Sequence, residues 1–134
     1  MAKARILCIE DDIEMIDYLK LVLGKAGYEV IGAEGGRKGL EVMKSELPDL
    51  VLLDLMMPDL DGADVLLHKK KDPAVRDIPV IALTALGSPF DEIMWTARTD
   101  LQDFVVKSRV PRRELIARVE KVLEAHGRNQ ASNG

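Results

Sequence analysis

The sequence is poor in the residues that build several common kinds of site. A single cysteine, Cys8, leaves no intrachain disulfide framework and no cysteine-built zinc site. The two histidines, His68 and His126, lie too far apart in the chain to form the local ligand pairs of zinc hydrolases. No apolar run approaches the roughly 18 residues of a membrane span. The opening Met1-Ala-Lys-Ala-Arg5 leads into a strand pattern, not a signal sequence. Basic residues are in the minority, 19 against 23 acidic, for a net charge of −4. Wrapping DNA or RNA calls for clustered Lys and Arg, so direct nucleic-acid binding by this domain is not expected. These absences predict a cytoplasmic chain in a reducing compartment, without a membrane partner.

What is there is globular. The 134 residues are 47 % hydrophobic and 31 % charged, which suits one domain and argues against disorder. The domain is expected over residues 1–126, with the small, polar residues 127–134 as a frayed tail or the start of a linker. Short apolar runs recur at Arg5–Ile9, Glu29–Ala33, Leu50–Leu53, Pro79–Leu83 and Asp103–Val106. Their length and their Val and Ile content fit strands covered on both faces, hence a parallel sheet. The second run is less uniformly apolar, which places it nearer an edge.

Amphipathic stretches lie between the runs. Asp12 fits as the N-cap of a helix through Ala26, with Gly27 as its stop. Further helices are expected over about Gly36–Ser45, Ala63–Lys71, Pro89–Arg98 and Pro111–His126. Parallel neighbours need crossover helices, so five strands alternating with five helices make a doubly wound α/β sheet with helices on both faces.

In such a sheet, ligands bind outside the carboxyl ends of the strands. Glu10, Asp11 and Asp12 follow the first run, Asp54 the third, Thr84 the fourth and Lys107 the fifth. Converging carboxylates repel one another and raise a pKa unless a cation neutralises them. Mg²⁺ characteristically takes one or two carboxylates, waters and a phosphate oxygen. Lys107 could meet Asp54 or an incoming phosphoryl group, and Thr84 supplies a short hydroxyl donor. The set reads as a phosphoryl-handling site with an aspartate acceptor.

These residues resemble a known family, the receiver domains of two-component response regulators. The resemblance runs from Ile6 to about Ala125. It is carried by Ile6-Leu-Cys-Ile-Glu10-Asp11-Asp12, Asp49-Leu-Val-Leu-Leu-Asp54-Leu-Met-Met-Pro58-Asp-Leu-Asp-Gly62, Pro79-Val-Ile-Ala-Leu-Thr84-Ala85 and Phe104-Val-Val-Lys107. It implies a CheY-like, flavodoxin-like fold with strand order 2-1-3-4-5. It implies that Asp54 accepts a phosphoryl group from the phosphohistidine of a sensor histidine kinase or phosphotransfer protein. The carboxylates of Asp11 and Asp54 and the backbone carbonyl of Met56 would hold Mg²⁺, with Glu10 binding through water. Lys107 would contact the phosphoryl group. Thr84 would move toward it, and Phe104 would rotate inward from an outward position, changing the surface of the fourth helix, fifth strand and fifth helix. A downstream protein target or an output domain would read that change. The chain would then be a signalling switch that catalyses only its own phosphorylation and dephosphorylation.

The chain departs from the family pattern after the lysine, where Ser108 replaces the usual proline, and over Arg98–Asp103, where a Gly-Ala approach is usual. Pro89 fixes the start of the fourth helix unusually firmly. Two other readings stay open at this point. A receiver-like interaction module would need no phosphorylation. An aspartate-based phosphohydrolase would need an acid at position 56, where the chain has Met56.

Several smaller motifs have structural readings. Gly35-Gly36-Arg37-Lys38-Gly39 is not a P-loop and reads as a turn into a helix. Asp59-Leu-Asp61-Gly62 lacks the closing glutamate of a calcium loop and reads as a turn. His68-Lys69-Lys70-Lys71 reads as a solvated helix end favoured by the macrodipole. The last helix resembles that of receivers joined to winged-helix transcription factors, in which Asp103, Glu114 and Arg118 would cross a homodimer. The simpler reading is an i, i+4 pair between Glu114 and Arg118.

Overall fold

A computed structural model describes residues 3–85, 94–95, 97, 100–107 and 110–133, the side chains of 128–133 excepted. Five strands form one parallel sheet: β1 (Arg5–Glu10), β2 (Glu29–Glu34), β3 (Leu50–Leu53), β4 (Val80–Thr84) and β5 (Asp103–Val106). Their order is β2-β1-β3-β4-β5. Helices α1 (Ile13–Lys25), α2 (Gly36–Glu46) and α3 (Gly62–Lys71) alternate with them, and a C-terminal helix spans Arg112–Asn133. The helix expected over Pro89–Arg98 falls largely outside the described residues, although Met94 and Trp95 within it are helical.

The strand period of two separates the core into two layers. Leu7, Ile9, Val51, Leu53, Val80, Ala82, Phe104 and Val106 face one side, where Met43 of α2 and Val65 and Leu66 of α3 cover them. Ile6, Cys8, Leu50, Leu52, Ile81, Leu83 and Val105 face the other, under Leu19 and Leu23 of α1 and Leu115, Val119 and Val122 of the C-terminal helix. Every residue of β3 and β4 is buried, whereas β2 is largely half-buried, as its place at the sheet edge requires. The register aligns Ile9 with Leu53 and Leu53 with Ala82, so the carboxyl ends of the strands form one rim.

Two local expectations change. Lys69 is only 4 % exposed and its ammonium donates to the Arg76 carbonyl at 2.8 Å, so it is not part of a solvated helix end. The inner face of α3 falls at Gly62, Val65, Leu66 and Lys69, the spacing that carries every seventh residue back to the core side. The last helix does not stop near His126 but runs to Asn133, through most of the segment expected as a tail. Gly27 ends α1 at φ +102°, a left-handed turn, while Gly127 is not among the positive-φ glycines and stays in the helix. No helix among the described residues is long and apolar enough to cross a membrane.

Candidate functional site

The rim of the sheet brings the acids together. Glu10 closes β1, and Asp54 directly follows β3, where its N–H donates to the Ile9 carbonyl at 2.9 Å. Asp12 caps α1 by accepting from the Glu14 N–H at 3.0 Å, which leaves Asp11 exposed between Glu10 and the cap. One carboxylate oxygen from each of Glu10, Asp11 and Asp54 lies within 4.8 Å of the others. Asp12, beyond this group, is a cap in keeping with its sequence reading.

Lys107 reaches the cluster from the end of β5. Its N–H donates to the Thr84 carbonyl at 2.9 Å, which ties its backbone to the end of β4. Its ammonium lies 2.6 Å from Glu10 Oε2 and 3.3 Å from Asp54 Oδ2. The Asp54 partner is the one expected from the sequence, and the shorter contact with Glu10 is not. Burial, followed by the hydrogen bond with Asp54, pushes the Glu10 carboxyl up to about 8 against the pull of Lys107. Burial alone would lower Lys107, but its hydrogen bond to Glu10 and the charges of Asp54 and Glu10 outweigh this and raise it. Three carboxylates facing one ammonium leave an excess of negative charge, the condition that favours a bound divalent cation.

All the donors are oxygen atoms, which suits a hard ion. Mg²⁺ is such an ion, and the cluster offers it carboxylates from two separate strand ends. The fourth expected ligand, the Met56 carbonyl, sits in the loop after β3. That loop starts on the acceptor itself, because the Met56 N–H donates to Asp54 Oδ1 at 3.0 Å. The Met56 side chain points away from the core, 58 % exposed, and lines a cleft with Met57, Pro58 and Trp95.

The remaining site residues fall as follows. Thr84, the last residue of β4, is fully buried. Phe104 is 3 % exposed and packs in the core with Leu101 and Val106, so it does not occupy the outward position expected of it. Its place in β5 points it at the same layer as Ala82 and Val80, where an aromatic ring removes a large apolar area from water. Ser108, like Pro89, lies outside the described residues. On the face of β5 and the C-terminal helix, Arg118 is paired within the chain to Asp103 at 2.7 Å and Glu114 at 3.2 Å. The i, i+4 pairing of Glu114 and Arg118 is thus present.

One participant at this rim has no counterpart in the sequence reading. Asp59, taken there as part of a turn, accepts from the N–H groups of Gly36 and Arg37, both at 3.2 Å. The available signal was the Gly35-Gly36 start of α2, which offers no side chain to cap its own N–H groups.

The chain is similar to known proteins in sequence and in fold. The family described as "Response regulator receiver domain" matches residues 6–120. The chain is 38 % identical over 133 residues to the "Probable transcriptional regulator ycf27" of Porphyridium aerugineum, covering 99 % of this chain and 53 % of that protein. It is 34 % identical over 119 residues to the phosphate regulon transcriptional regulatory protein PhoB of Escherichia coli K12, covering 89 % and 51 %. The chain therefore spans about half the length of these relatives. Among solved structures, the receiver domain of a signal transduction histidine kinase from Syntrophus aciditrophicus superposes with a TM-score of 0.80 at 30 % identity, over 91 % of each chain. The chemotaxis protein CheY4 of Vibrio cholerae superposes with a TM-score of 0.80 at 25 % identity, over 90 % of this chain and 99 % of that one. Fold, rim and family match agree: the chain belongs to the response regulator receiver domain family of two-component signalling.

Proposed function

We propose that this domain is a phosphoacceptor switch in which Asp54 takes a phosphoryl group from the phosphohistidine of a sensor histidine kinase or phosphotransfer protein. One Asp54 carboxylate oxygen attacks phosphorus, the O–P bond forms as the N–P bond to imidazole breaks, and the imidazole leaves. The observation that carries the reading is the convergence of Glu10, Asp11 and Asp54 within 4.8 Å, faced by the Lys107 ammonium. Mg²⁺, held by Asp11, Asp54 and the Met56 carbonyl with Glu10 through water, would supply positive charge for the phosphoryl oxygens. Lys107 adds a mobile charge on the same side, able to leave Glu10 for the transferred group. The Asp54 backbone, fastened to Ile9, keeps the acceptor oxygen in place while charge builds on phosphorus.

Readout would run through Thr84, the last residue of β4, and Phe104 of the neighbouring β5, which lies beside Ala82. A phosphoryl group on Asp54 changes the local charge, and the Thr84 hydroxyl is a donor able to follow it. Phe104 is already buried here, the position that the resemblance gives to the signalling form. The face of β5 and the C-terminal helix would pass the change to a protein target, an output domain or a second copy of this chain. The transcriptional regulators ycf27 and PhoB, about twice as long, support an output domain as the reader. The chemistry is a switch acting on itself and not metabolism, and a cytoplasmic setting suits a kinase donor.

The test is to incubate the protein with phosphoramidate and Mg²⁺, reduce with borohydride, and map the product by peptide mass. An acyl phosphate at Asp54 is converted to homoserine at that position. Homoserine absent from position 54, or found at another aspartate, would reject the reading.

A further inference from the structure

Asp59 lies far in sequence from α2, yet it caps that helix. Its two carboxylate oxygens accept from Gly36 and Arg37, 23 and 22 residues away. Burial works against the ionised carboxyl, but the N–H groups of Arg37, Gly36, Leu60 and Asp59 itself outweigh it and hold Asp59 below its ordinary range.

A helix is ordinarily capped by its own preceding residue. Here that residue is Gly35, at φ +93° and ψ 164°, a backbone region open essentially to glycine alone. A side chain at Gly35 would also meet the Asp59 carboxylate at 2.9 Å. The chain thus leaves out the local cap at the point where a distant residue supplies one. What the distant cap does, and a local one would not, is fasten the loop between β3 and α3.

That loop carries the groups that meet the acceptor. It begins where the Met56 N–H donates to Asp54 Oδ1, and it closes where the Gly62 N–H donates to the Leu55 carbonyl at 3.2 Å. Its middle lies against the start of α2 so closely that a Cβ at Gly36 would stand 2.4 Å from the Leu60 carbonyl oxygen and 2.9 Å from Val65. The turn on which it rests is in turn tied to β1, since the Gly35 N–H donates to the Glu10 carbonyl at 3.1 Å. Hydrogen bonds therefore join Gly35 to Glu10, Gly36 to Asp59 and Met56 to Asp54, and the covalent chain through Met57 and Pro58 links Asp59 back to Met56.

We propose that Asp59 is a positioning residue for the Mg²⁺ site. By holding the β3–α3 loop on the N-terminus of α2, it sets where the Met56 carbonyl stands relative to the Asp11 and Asp54 carboxylates. This rests on the phosphoacceptor reading above, and deepens it by one residue that touches neither ion nor phosphoryl group. Groups that orient metal ligands typically alter metal affinity 10–100-fold when removed.

The experiment is calorimetric titration of the chain with MgCl₂ for wild type, Asp59→Ala and Asp59→Asn, beside urea unfolding of each without Mg²⁺. Asp59→Ala is expected to weaken Mg²⁺ binding about 10-fold or more. Asp59→Asn keeps one accepting oxygen of the two, so it is expected to bind Mg²⁺ more weakly than wild type but more tightly than Asp59→Ala. Both variants remove the same charge, so the difference between them isolates the hydrogen bonds. An alanine variant that binds as wild type does, or an asparagine variant as weak as alanine, overturns the proposal. If the alanine variant does not fold, Asp59→Glu keeps the charge and changes only the reach. Binding weakened threefold or more by glutamate supports positioning, and unchanged binding overturns it. Wild type that binds no Mg²⁺ at all would instead bring down the phosphoacceptor reading itself.

Discussion

Lys107 lies closer to Glu10, at 2.6 Å, than to the acceptor Asp54, at 3.3 Å. The ammonium is thus parked on a neighbouring acid and spans both carboxylates. Removing it leaves two buried carboxyl groups facing each other without the ammonium that spans them. Lys107→Met should lower stability by about 1–3 kcal/mol in urea unfolding without Mg²⁺. Saturating Mg²⁺ should restore much of the loss, because an ion bound only by the folded form stabilises it by mass action. Equal stability of variant and wild type without Mg²⁺ would mean that the contact carries no weight.

The same charge excess predicts a gain from neutralising the acceptor. Asp54→Asn takes away one of three clustered carboxylates while keeping the shape. Its metal-free melting temperature should rise by about 2–6 °C, corresponding to about 1 kcal/mol. Mg²⁺ should raise the melting temperature of wild type more than that of the variant. A fall on substitution, combined with no response of wild type to Mg²⁺, would contradict a strained acid cluster.

Lys69 gives a pH dependence of definite sign. Burial pushes its ammonium down to about 8, against the raising influence of Asp100 and Asp77, from an ordinary value of 10.5. Between these values the unfolded chain binds more protons at this position, so stability should rise with pH from about 8 to 10.5. Below that window the folded protein carries a charged, buried amine. Lys69→Met should flatten the rise, which urea midpoints at closely spaced pH values would reveal. A variant with the same slope as wild type would show that Lys69 titrates normally.

The parts of the fold that were legible in the sequence are those decided by burial. β3 and β4 are buried throughout and read as unbroken apolar runs, and the mixed character of Glu29–Ala33 marked an edge strand correctly. The acids at the rim were legible because strand ends in a parallel sheet share one side. Partnerships across the sheet were not. Nothing in the spacing of Glu10 and Lys107 says that β1 and β5, which do not pair, bring these two groups into contact. Asp59 looked like a turn because its acceptor role depends on N–H groups 22 and 23 residues away. Residues 127–133 looked like a tail because they are small and polar, yet the last helix continues through them, whereas Gly27, at positive φ, does end α1.

Met56 bears on the lifetime of the phosphorylated state. Its side chain is exposed beside the acceptor and has no polar group with which to orient an attacking water. Self-dephosphorylation should therefore be slow. Met56→Asn or Met56→Glu should speed it by up to about 100-fold, the lower end of the range for a positioned proton-transfer group. The decay of phosphorylated protein after donor removal gives the rate, and an unchanged lifetime in both variants would sink the idea.

The most direct test of the phosphoacceptor account is intact mass after incubation with a small acyl phosphate, with and without Mg²⁺, for wild type and Asp54→Asn. The account predicts a single added phosphoryl group on wild type with Mg²⁺, and none when Mg²⁺ is withheld or Asp54 is replaced. An adduct on Asp54→Asn, or no adduct on wild type with Mg²⁺ present, would contradict it and favour a receiver fold that signals without phosphorylation.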